Sequence, residues 1–264
     1  MVAYAIEEHK LSERQACQML NLSRSVKRYQ SKKPDDSELR QVLQELATSK
    51  RRWGVRKMTD YLKNQGYDWN HKRIRRVYCE IGLNLRVKPK KRLPARERQP
   101  LVQPESANQS LSLDFMSDSL SSGRAFRTLN ILDDFNREAL WIEIDTSLPA
   151  ERVIRVLEML IAWRGCPKQI RMDNGPELLS KLLESWAEEH NIKLVHIQPG
   201  KPAQNAYIER FNRTYREDVL DAFLFDSLNE VREITEEWLE EYNAVRPHEA
   251  LQGLPPYQYA SLNA

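Results

Sequence analysis

The hydrophobic period of the chain changes near residue 110, and this change restricts the possible folds more than any other feature. Downstream of it, three successive segments alternate apolar and polar residues with the period of β-strands, and helical and strand-like periods then alternate. The predicted strands are 111–116, 126–133, 139–145, 168–173 and 193–198, and the predicted helices are 150–164, 176–190, 203–222 and 227–243. This order predicts an α/β architecture in which helices cover a mixed sheet.

Upstream of residue 110 the chain is mostly helical in period and strongly basic. Residues 1–100 contain 25 Lys and Arg against 11 Asp and Glu, whereas residues 101–264 contain 16 against 27. The formal charges of the two parts are therefore about +14 and −11. Because neutralised phosphates supply most non-specific affinity for DNA, the split indicates an N-terminal part that binds double-stranded DNA. A well-solvated surface without such a partner is the alternative.

Residues 12–29 have the pattern of two short helices joined by a turn, as in a helix-turn-helix segment. Ser12 and Gln15 are spaced as a capping box at the start of the first helix. The residues predicted to pack the two helices together are Ala16, Leu20 and Val26. The cations expected to face outward toward DNA are Arg24, Lys27 and Arg28. Any small three-helix domain could share this pattern.

A second basic helical domain is predicted for residues 35–85, with Gly66 and Gly82 ending its last two helices. Asn70 is the expected N-cap of the final helix, whose apolar residues recur at helical spacing and leave its cations on other faces. The DNA-binding cations predicted here are Arg56, Lys57, Lys72, Arg73, Arg75 and Arg76. Pairing with local acids is the alternative, but residues 51–100 contain only four Asp or Glu.

Residues 86–109 lack a stable period and are rich in proline and basic residues, which indicates a semi-extended linker. Its Lys90, Lys91 and Arg92 are predicted either to follow a DNA backbone or only to connect the flanking domains. The predicted division of the chain is a helix-turn-helix segment at 1–34, a second helical DNA-binding domain at 35–85, the linker at 86–109, a catalytic core at 110–222, and a C-terminal helix and tail at 223–264.

Three acidic residues on separate predicted elements are the candidate catalytic and metal-binding groups. Asp114 lies on the first strand, Asp173 at the end of the fourth, and Glu209 on a late helix. Carboxylates that converge repel one another, so such a site usually holds hard divalent cations. Two metal ions about 3.5–4 Å apart can activate an attacking oxygen and stabilise the leaving oxygen of a phosphodiester. The pattern therefore predicts phosphoryl transfer on nucleic acid, with Mg²⁺ as the metal.

Other polar residues compete for roles at this site. Arg213 and Arg216 share a predicted helix face with Glu209 and are candidate phosphate clamps. The competing acids are Asp118, Asp133, Asp134 and Glu177. Asp133 and Asp134 alternatively cap a hairpin where the second strand turns. His248 is predicted to be structural rather than a proton shuttle.

Cysteine spacing and hydropathy argue against several classes of protein. The three cysteines are odd in number and never spaced as Cys-x-x-Cys, which argues against a disulfide framework or a structural zinc. No apolar run approaches the roughly 18 residues of a membrane span, and the N-terminus lacks a signal-peptide pattern. We therefore expect a cytoplasmic protein with no membrane partner.

Several motifs together resemble one family, the second-frame transposases of bacterial insertion sequences with an integrase-type DDE core. The motifs are Arg52–Lys57, Lys72–Val77, Leu113–Asp118, Leu132–Glu138, Asp173–Glu177, Gln198–Pro202, Asn205–Asn212 and Tyr242–His248. The resemblance implies a ribonuclease-H-like core and a catalytic triad of Asp114, Asp173 and Glu209. It also implies a role for Arg216, the basic residue seven positions after the glutamate. One departure is Leu111, because the family commonly has tryptophan three residues before the first aspartate.

The resemblance further implies a DNA transposase that binds the terminal inverted repeats of an insertion element. It implies cleavage at the 3′ ends and strand transfer with two Mg²⁺ ions per site, for which Mn²⁺ can substitute. Homo-oligomers that bridge both ends, a fusion to an upstream reading frame, and a bacterial nucleoid-associated location are further implications. Two alternatives stay open, a nuclease that hydrolyses without joining and a DNA-binding regulator whose core is only a dimerisation scaffold.

Overall fold

The computed structural model describes residues 1–30, 35–86, 101, 103–175, 177–198 and 205–263. The chain forms two compact units, Met1–Val42 and Leu43–Ala264. Lys90, Lys91 and Arg92 fall outside the described residues, as does most of the predicted linker. The predicted domain boundaries stay predictions.

The first unit contains α1 (Val2–His9), α2 (Glu13–Met19), α3 (Arg24–Lys27) and the start of α4 (Ser37–Ser49). The capping box is confirmed, because Ser12 Oγ accepts the Gln15 N–H and the Ser12 N–H donates to Gln15 Oε1 at 3.0 Å. Ala16 is buried as predicted, but Val26 is 60% exposed, so its predicted packing role was wrong. Because α3 has a single turn, it offers no continuous apolar face, and its residues stay exposed.

The second unit begins with the end of α4 and continues with α5 (Val55–Asn64) and α6 (His71–Glu80). Asn70 is the N-cap of α6, and its side chain accepts a backbone N–H of the first turn at 2.8 Å. Gly66 and Gly82 follow the two helices with φ angles of 86° and 74°, the left-handed conformation that ends a helix. The buried apolar residues of the two helices include Met58, Leu62, Ile74 and Val77. These features confirm the predicted helices.

Five strands form one mixed sheet in the order β3-β2-β1-β4-β5. They are β1 (Ser110–Ser119), β2 (Ala125–Asp133), β3 (Ala139–Asp145), β4 (Gln169–Met172) and β5 (Lys193–His196). β1 pairs antiparallel with β2 and parallel with β4, β2 and β3 pair antiparallel, and β4 and β5 pair parallel. The predicted mixed sheet is confirmed, and the strands differ from their predicted bounds only at the ends.

Helices cover both faces of this sheet. They are α7 (Ala150–Arg164), α8 (Lys181–Glu189), α9 (Ala206–Tyr215), α10 (Leu228–Ala244) and α11 (Pro256–Leu262), with a π-helical segment Arg216–Leu220 after α9 and a 3-10 turn Glu249–Leu251 after α10. Ile131 packs with Leu157 of α7, whereas the next residue, Leu132, packs with Phe211 of α9 and Tyr242 of α10. Because successive strand residues point to opposite faces, α7 and α8 cover one face and α9 and α10 the other.

Three further observations bear on the sequence-based expectations. Cys17, Cys79 and Cys166 are free thiols. None of the described helices has both the length and the apolar character that a membrane crossing requires. Leu111, where tryptophan is common in the resembling family, is 2% exposed in the core beneath α7 and α8, so leucine packs this position of β1.

Candidate active site

Asp114 lies near the middle of β1, on the face of the sheet that α9 covers. Its neighbour Leu113 points into the opposite core. Asp114 Oδ1 accepts a hydrogen bond from the Phe115 N–H at 2.9 Å, and Oδ2 accepts one from Asn212 Nδ2 at 2.7 Å. Asn212 Oδ1 accepts in turn from Asn130 Nδ2 at 2.7 Å. Two buried amide side chains thus fix the Asp114 carboxylate between β2 and α9.

Asp173 directly follows β4, which is the neighbour of β1. The two strands run parallel with Ser112 opposite Arg171, and continuing this register brings Asp114 beside Asp173. Asp173 Oδ1 accepts a hydrogen bond from the Gly175 N–H at 3.1 Å, which orients the carboxylate at the strand exit. A Cβ atom at Gly175 would lie 3.2 Å from the same oxygen, so a side chain there would crowd the carboxylate.

Glu209 lies in the first turn of α9, three residues before Asn212 and therefore on the same side of the helix. Its side chain is exposed, and within the described part of the chain it has no hydrogen bond or ion pair. Burial, then repulsion from Asp173, and then repulsion from Glu209 raise the pKa of Asp114 from 3.8 to about 6. The three predicted acids therefore interact electrostatically, although they come from three different elements.

The three carboxylates are neighbours but not a preformed set of metal ligands. Across the described ranges, no group of three or more His, Cys, Asp or Glu side chains is close enough to hold a metal ion as placed. Asp114 and Asp173 nevertheless offer carboxylate oxygens, the ligands that hard divalent cations prefer. The structure thus brings the acids into one electrostatic site without placing them all at shared ligand distance.

Comparison with known proteins decides the family. Integrase core domain models match residues 104–202 and 190–256, and an HTH-like domain model matches residues 33–92. The 31.7 kDa protein of insertion element IS407 from Burkholderia multivorans is 40% identical, over 97% of this chain and 92% of that protein. The 39.2 kDa protein of insertion element IS476 from Xanthomonas euvesicatoria is 38% identical, over 97% of this chain and 74% of that protein. The chain belongs to the insertion-sequence transposases.

This transposase is an enzyme of the DDE polynucleotidyl transferase type, with an HTH-like DNA-binding domain. Its fold is similar to that of a chain in the simian T-cell lymphotropic virus intasome, with a TM-score of 0.51 and 16% identity. The similarity covers 73% of this chain and 67% of the viral chain. It confirms the predicted ribonuclease-H-like mixed sheet.

Acidic side chains of the transposase core are ion-paired with Arg213 and Arg216, the two predicted phosphate clamps. Arg216 Nη1 lies 3.1 Å from Asp118 Oδ2, and its Nη2 donates to the Ser117 carbonyl at 2.9 Å. Arg213 Nε donates to Glu217 Oε1 at 2.9 Å, one helical turn away. Asp118 therefore serves as the partner of an arginine, and a DNA phosphate would have to compete with these carboxylates.

Glu177 also serves as the partner of an arginine. It is ion-paired with Arg127 of β2, and this hydrogen bond lowers the pKa of Glu177. The Arg127 guanidinium lies 4.5 Å from the centre of the Phe115 ring. Glu177 thus attaches the turn that follows Asp173 to β2.

Asp134 forms a buried polar bridge between β1 and β4. Its carboxylate accepts hydrogen bonds from Ser112 Oγ at 2.5 Å, Ser110 Oγ at 2.9 Å and Arg171 Nη1 at 3.0 Å. Asp134 is fully buried, and burial raises its pKa. Ser112 and Arg171 each lie two residues before a catalytic candidate, so Asp134 fixes β1 and β4 relative to each other.

Asp133 has a local structural role at the end of β2. Its carboxylate accepts the Asn108 N–H at 2.7 Å and the Phe135 N–H at 2.9 Å. Asp133 is fully buried, and burial raises its pKa. Bonding to the N–H two residues on matches the capping alternative considered for this pair.

In the first unit, two of the three predicted DNA-binding cations are ion-paired. Lys27 Nζ lies 3.1 Å from Glu13 Oε2, and Arg28 Nε lies 2.8 Å from Glu13 Oε1. Hydrogen bonds from Arg28 and Lys27 lower the pKa of Glu13. Arg24 is exposed at the start of α3. Ion pairs that are partly open to solvent, as these are, contribute little to stability.

The predicted cations of α6 differ in exposure. Lys72 and Arg75 are exposed, whereas Arg73 and Arg76 are half-buried. Arg76 Nη1 donates to Glu80 at 2.8 Å, one turn along the same helix. Lys72 and Arg75 are therefore the α6 side chains most accessible to a DNA backbone.

The predicted cations of α5 lie in different environments. Arg56 is exposed, with Nη1 3.5 Å from Glu249 Oε1. Lys57 is half-buried, with Nζ 6.0 Å from the centre of the Trp53 ring. Burial and the nearby Arg246 lower the pKa of Lys57 to about 8. Lys57 is thus less available than Arg56 to an extended DNA backbone.

Two residues that hold the site together were absent from the predicted set, Asn212 and Asn130. Asn212 could have been predicted from the sequence, because a residue three positions after Glu209 on a helix lies on the same face as Glu209. Asn130 gives no local signal, since its partner Asn212 lies 82 residues away.

Proposed function

We propose that this transposase binds the terminal inverted repeats of its insertion element and catalyses 3′-end cleavage and strand transfer. Asp114, Asp173 and Glu209 are the proposed catalytic carboxylates. The observation that carries the proposal is the geometry of Asp114 and Asp173, which neighbouring parallel strands bring side by side, with Asn212 of α9 bonded to Asp114. Burial and repulsion from the other two acids also raise the pKa of Asp114, and such a cluster of acids favours the binding of cations.

The proposed metal is Mg²⁺, two ions per site, with Mn²⁺ as a substitute. The donors fit this choice, because all three side chains are carboxylates, and Asp114 lies on β1 while Asp173 directly follows its parallel neighbour β4. Each Asp114 oxygen accepts one hydrogen bond and keeps a further lone pair for a cation. Glu209 would complete the set from α9. When bound, such ions activate the attacking oxygen and stabilise the leaving oxygen of a phosphodiester.

The surrounding residues are proposed to orient these acids. The Phe115 N–H and Asn212 hold Asp114, and the Gly175 N–H holds Asp173. Asp134 keeps the two strands that carry them in register. Because Asp114 has a raised pKa, a cation that binds it near pH 6 displaces a proton.

The arginines of α9 and its π-helical extension are proposed to contact DNA. Arg213 and Arg216 retain 63% and 38% side-chain exposure beside their acidic partners. Guanidinium groups bind phosphate through paired hydrogen bonds, so an arriving DNA backbone can replace a surface carboxylate. The other predicted DNA contacts stay proposals of the same kind.

The test is a cleavage and joining assay on duplexes that carry the element end. The variants are D114N, D173N and E209Q, with E189Q as a matched loss of an exposed carboxylate on α8. Each of the first three should lower the rate by about 10³-fold or more, because groups that act together in catalysis are rarely dispensable. All variants should still bind the duplex, and E189Q should keep wild-type activity. Full activity of D114N would refute the assignment.

The same assay separates the two alternative functions. When a pre-cut end is incubated with target DNA, only a transposase gives a joined product. Hydrolysis without joining would indicate a nuclease, since water can replace the 3′ hydroxyl as the attacking group. Binding with no metal-dependent turnover would indicate a DNA-binding regulator.

We also propose that the active species is a homo-oligomer that bridges two element ends, either alone or fused to an upstream reading frame. The support is the membership of the transposase family. Light scattering of complexes with one and with two end duplexes gives the number of chains per complex. A single chain that joins both ends would contradict the oligomeric proposal.

A further inference from the structure

Six buried side-chain polar atoms in the second unit lack a hydrogen-bond partner among the described residues, and they include two nitrogens of basic side chains that can donate to an anion, Arg137 Nη1 and His248 Nε2. Arg137 is only 8% exposed and lies in the connection between β2 and β3. His248 follows α10, and its ring meets the Tyr242 ring edge-on, with centroids 4.9 Å apart. A buried polar atom without a hydrogen-bond partner destabilises a fold, so these two atoms indicate a missing partner.

Positive charge converges on this place. Burial, together with repulsion from Arg246, Lys57, Arg137 and Arg210, lowers the pKa of His248 from 6.5 to about 3. The same three arginines also act on the buried Tyr242 hydroxyl. His248 is therefore neutral at pH 7, and four cations lie near enough to act on its pKa.

The acids nearby do not balance these cations. Arg246 Nη1 donates to Asp218 at 2.5 Å, and Lys57 is influenced by Asp218 and by Asp60. Asp134 also acts on Arg137, but its oxygens already accept bonds from Arg171 and two serines. Three acids thus face four cations, and one of the acids, Asp134, is already bonded to Arg171, which leaves an excess of positive charge.

The backbone of Arg137 is unusual for an arginine. Its φ angle is 59°, in the left-handed region that favours glycine and asparagine. Its guanidinium lies 3.4 Å from the centre of the Tyr207 ring, which restricts the side chain to one direction. Asparagine would adopt this backbone conformation with less strain. We therefore infer that position 137 has arginine because its charged guanidinium has a role.

We propose that Arg137 and His248, with the cations around them, form a binding site for one phosphate group. The Arg137 fork can donate two hydrogen bonds to phosphate oxygens, and His248 can donate one from Nε2 in the matching tautomer. The bound anion offsets the mutual repulsion of the four cations. The phosphate comes either from a DNA backbone or from free inorganic phosphate. This site is defined without the three carboxylates and does not depend on metal chemistry.

Inorganic phosphate is the first probe, compared with chloride at matched ionic strength. Phosphate should raise the Tm of the full chain and shift the ring signals of His248 in a saturable way, because a ligand of the native state stabilises it. The chain has five histidines, so an H248Q variant is sufficient to assign these signals. Apart from this assignment, the phosphate titration uses only the wild-type protein. If His248 does not respond to phosphate beyond its response to chloride, the proposal is overturned.

The decisive variant is R137N, because asparagine tolerates the left-handed backbone at this position. R137N should fold with a Tm in chloride near that of the wild type, but bind phosphate at least about tenfold more weakly. The matched control is R155Q, which removes one exposed arginine from α7. R155Q should keep the phosphate response, and an R137N variant that binds phosphate as tightly as the wild type would contradict the site.

Duplex DNA identifies the source of the phosphate. If it is a DNA backbone phosphate, R137N should weaken duplex binding several-fold more than R155Q, and inorganic phosphate should compete at fixed ionic strength. If it is free phosphate, both variants should bind the duplex equally while R137N alone loses the phosphate response. Both outcomes support the site, and neither depends on DNA cleavage.

Discussion

At the scale of single residues, the sequence was sufficient to locate the acids but not to predict their environment. Asp114 and Asp173 follow from strand pattern and local motif. The pKa of Asp114 depends on burial beneath α9 and on two acids that are distant in sequence, and neither is visible in a local pattern. For the same reason, the bridge from Asp134 to Arg171 could not be anticipated.

We predict that Asp114 titrates with a pKa of about 6 in the metal-free protein. D173N should lower this pKa more than E209Q does, because Asp173 contributes the larger of the two repulsions. Carboxyl ¹³C NMR of the wild type and both variants measures the three values. An Asp114 pKa near 4 in the wild type would contradict the proximity of the three acids.

The raised pKa of Asp114 makes the stability of the fold depend on pH. Because the pKa of Asp114 in the fold lies above its ordinary 3.8, the stability that this group contributes is fully present below that value and is lost as pH rises through about 6. The free energy of unfolding of the metal-free wild type should therefore fall relative to that of D114N across this interval. Urea denaturation at several pH values measures the difference, and a constant difference would count against the shift.

At the scale of elements, α9 connects the third acid to the sheet. The predicted helix 203–222 is observed as α9 followed by a π-helical segment, and such a change in hydrogen bonding leaves no trace in apolar spacing. The predicted helix 176–190 begins later, at Lys181, because the Ser180 side chain caps it by accepting the Leu183 N–H at 3.2 Å. Sequence pattern therefore predicts that a helix exists more reliably than where it begins.

Removing the Asn212 amide should loosen the attachment of α9 to β1. In N212A, a buried Asn130 Nδ2 and one Asp114 oxygen lose their partner, which should lower the free energy of unfolding by about 1–3 kcal/mol. The control T214A removes a side-chain hydrogen bond to the Arg210 carbonyl of the same helix. It should change the free energy of unfolding by less than about 0.5 kcal/mol. Urea denaturation of both variants tests this, and equal stabilities would argue against the role of Asn212.

At the scale of the whole molecule, the sequence predicted the order of the elements but not the contacts that join distant ones. Within the second unit, Lys50 is ion-paired with Glu241 of α10, and Arg52 Nη1 lies 3.2 Å from Glu217 Oε2. These partners are far apart in the chain, so no local period relates them. These pairs attach the basic helical part of this unit to α10 and to the π-helical segment after α9, which the split in sequence charge only suggested.

The same charge split predicts how DNA binding responds to salt. Arg75 is exposed and has no ion pair among the described residues, so R75Q should lower the salt slope of duplex binding by about 1 if it contacts one phosphate. R155Q removes an exposed arginine of the catalytic core and should leave the slope unchanged. Fluorescence anisotropy between low and physiological salt gives both slopes. Equal slopes for the two variants would exclude Arg75 as a phosphate contact.

The central claim is that Asp114, Asp173 and Glu209 together hold divalent cations, and counting bound Mn²⁺ tests it most directly. Electron paramagnetic resonance of the full chain with a pre-cut element end should show about two bound ions per chain in the wild type and in E189Q. The variants D114N, D173N and E209Q should each bind fewer than about one Mn²⁺ ion per chain, because each substitution removes a carboxylate that the two ions share. A wild type that binds no Mn²⁺, or a D114N variant that binds as many ions as the wild type, would contradict the account.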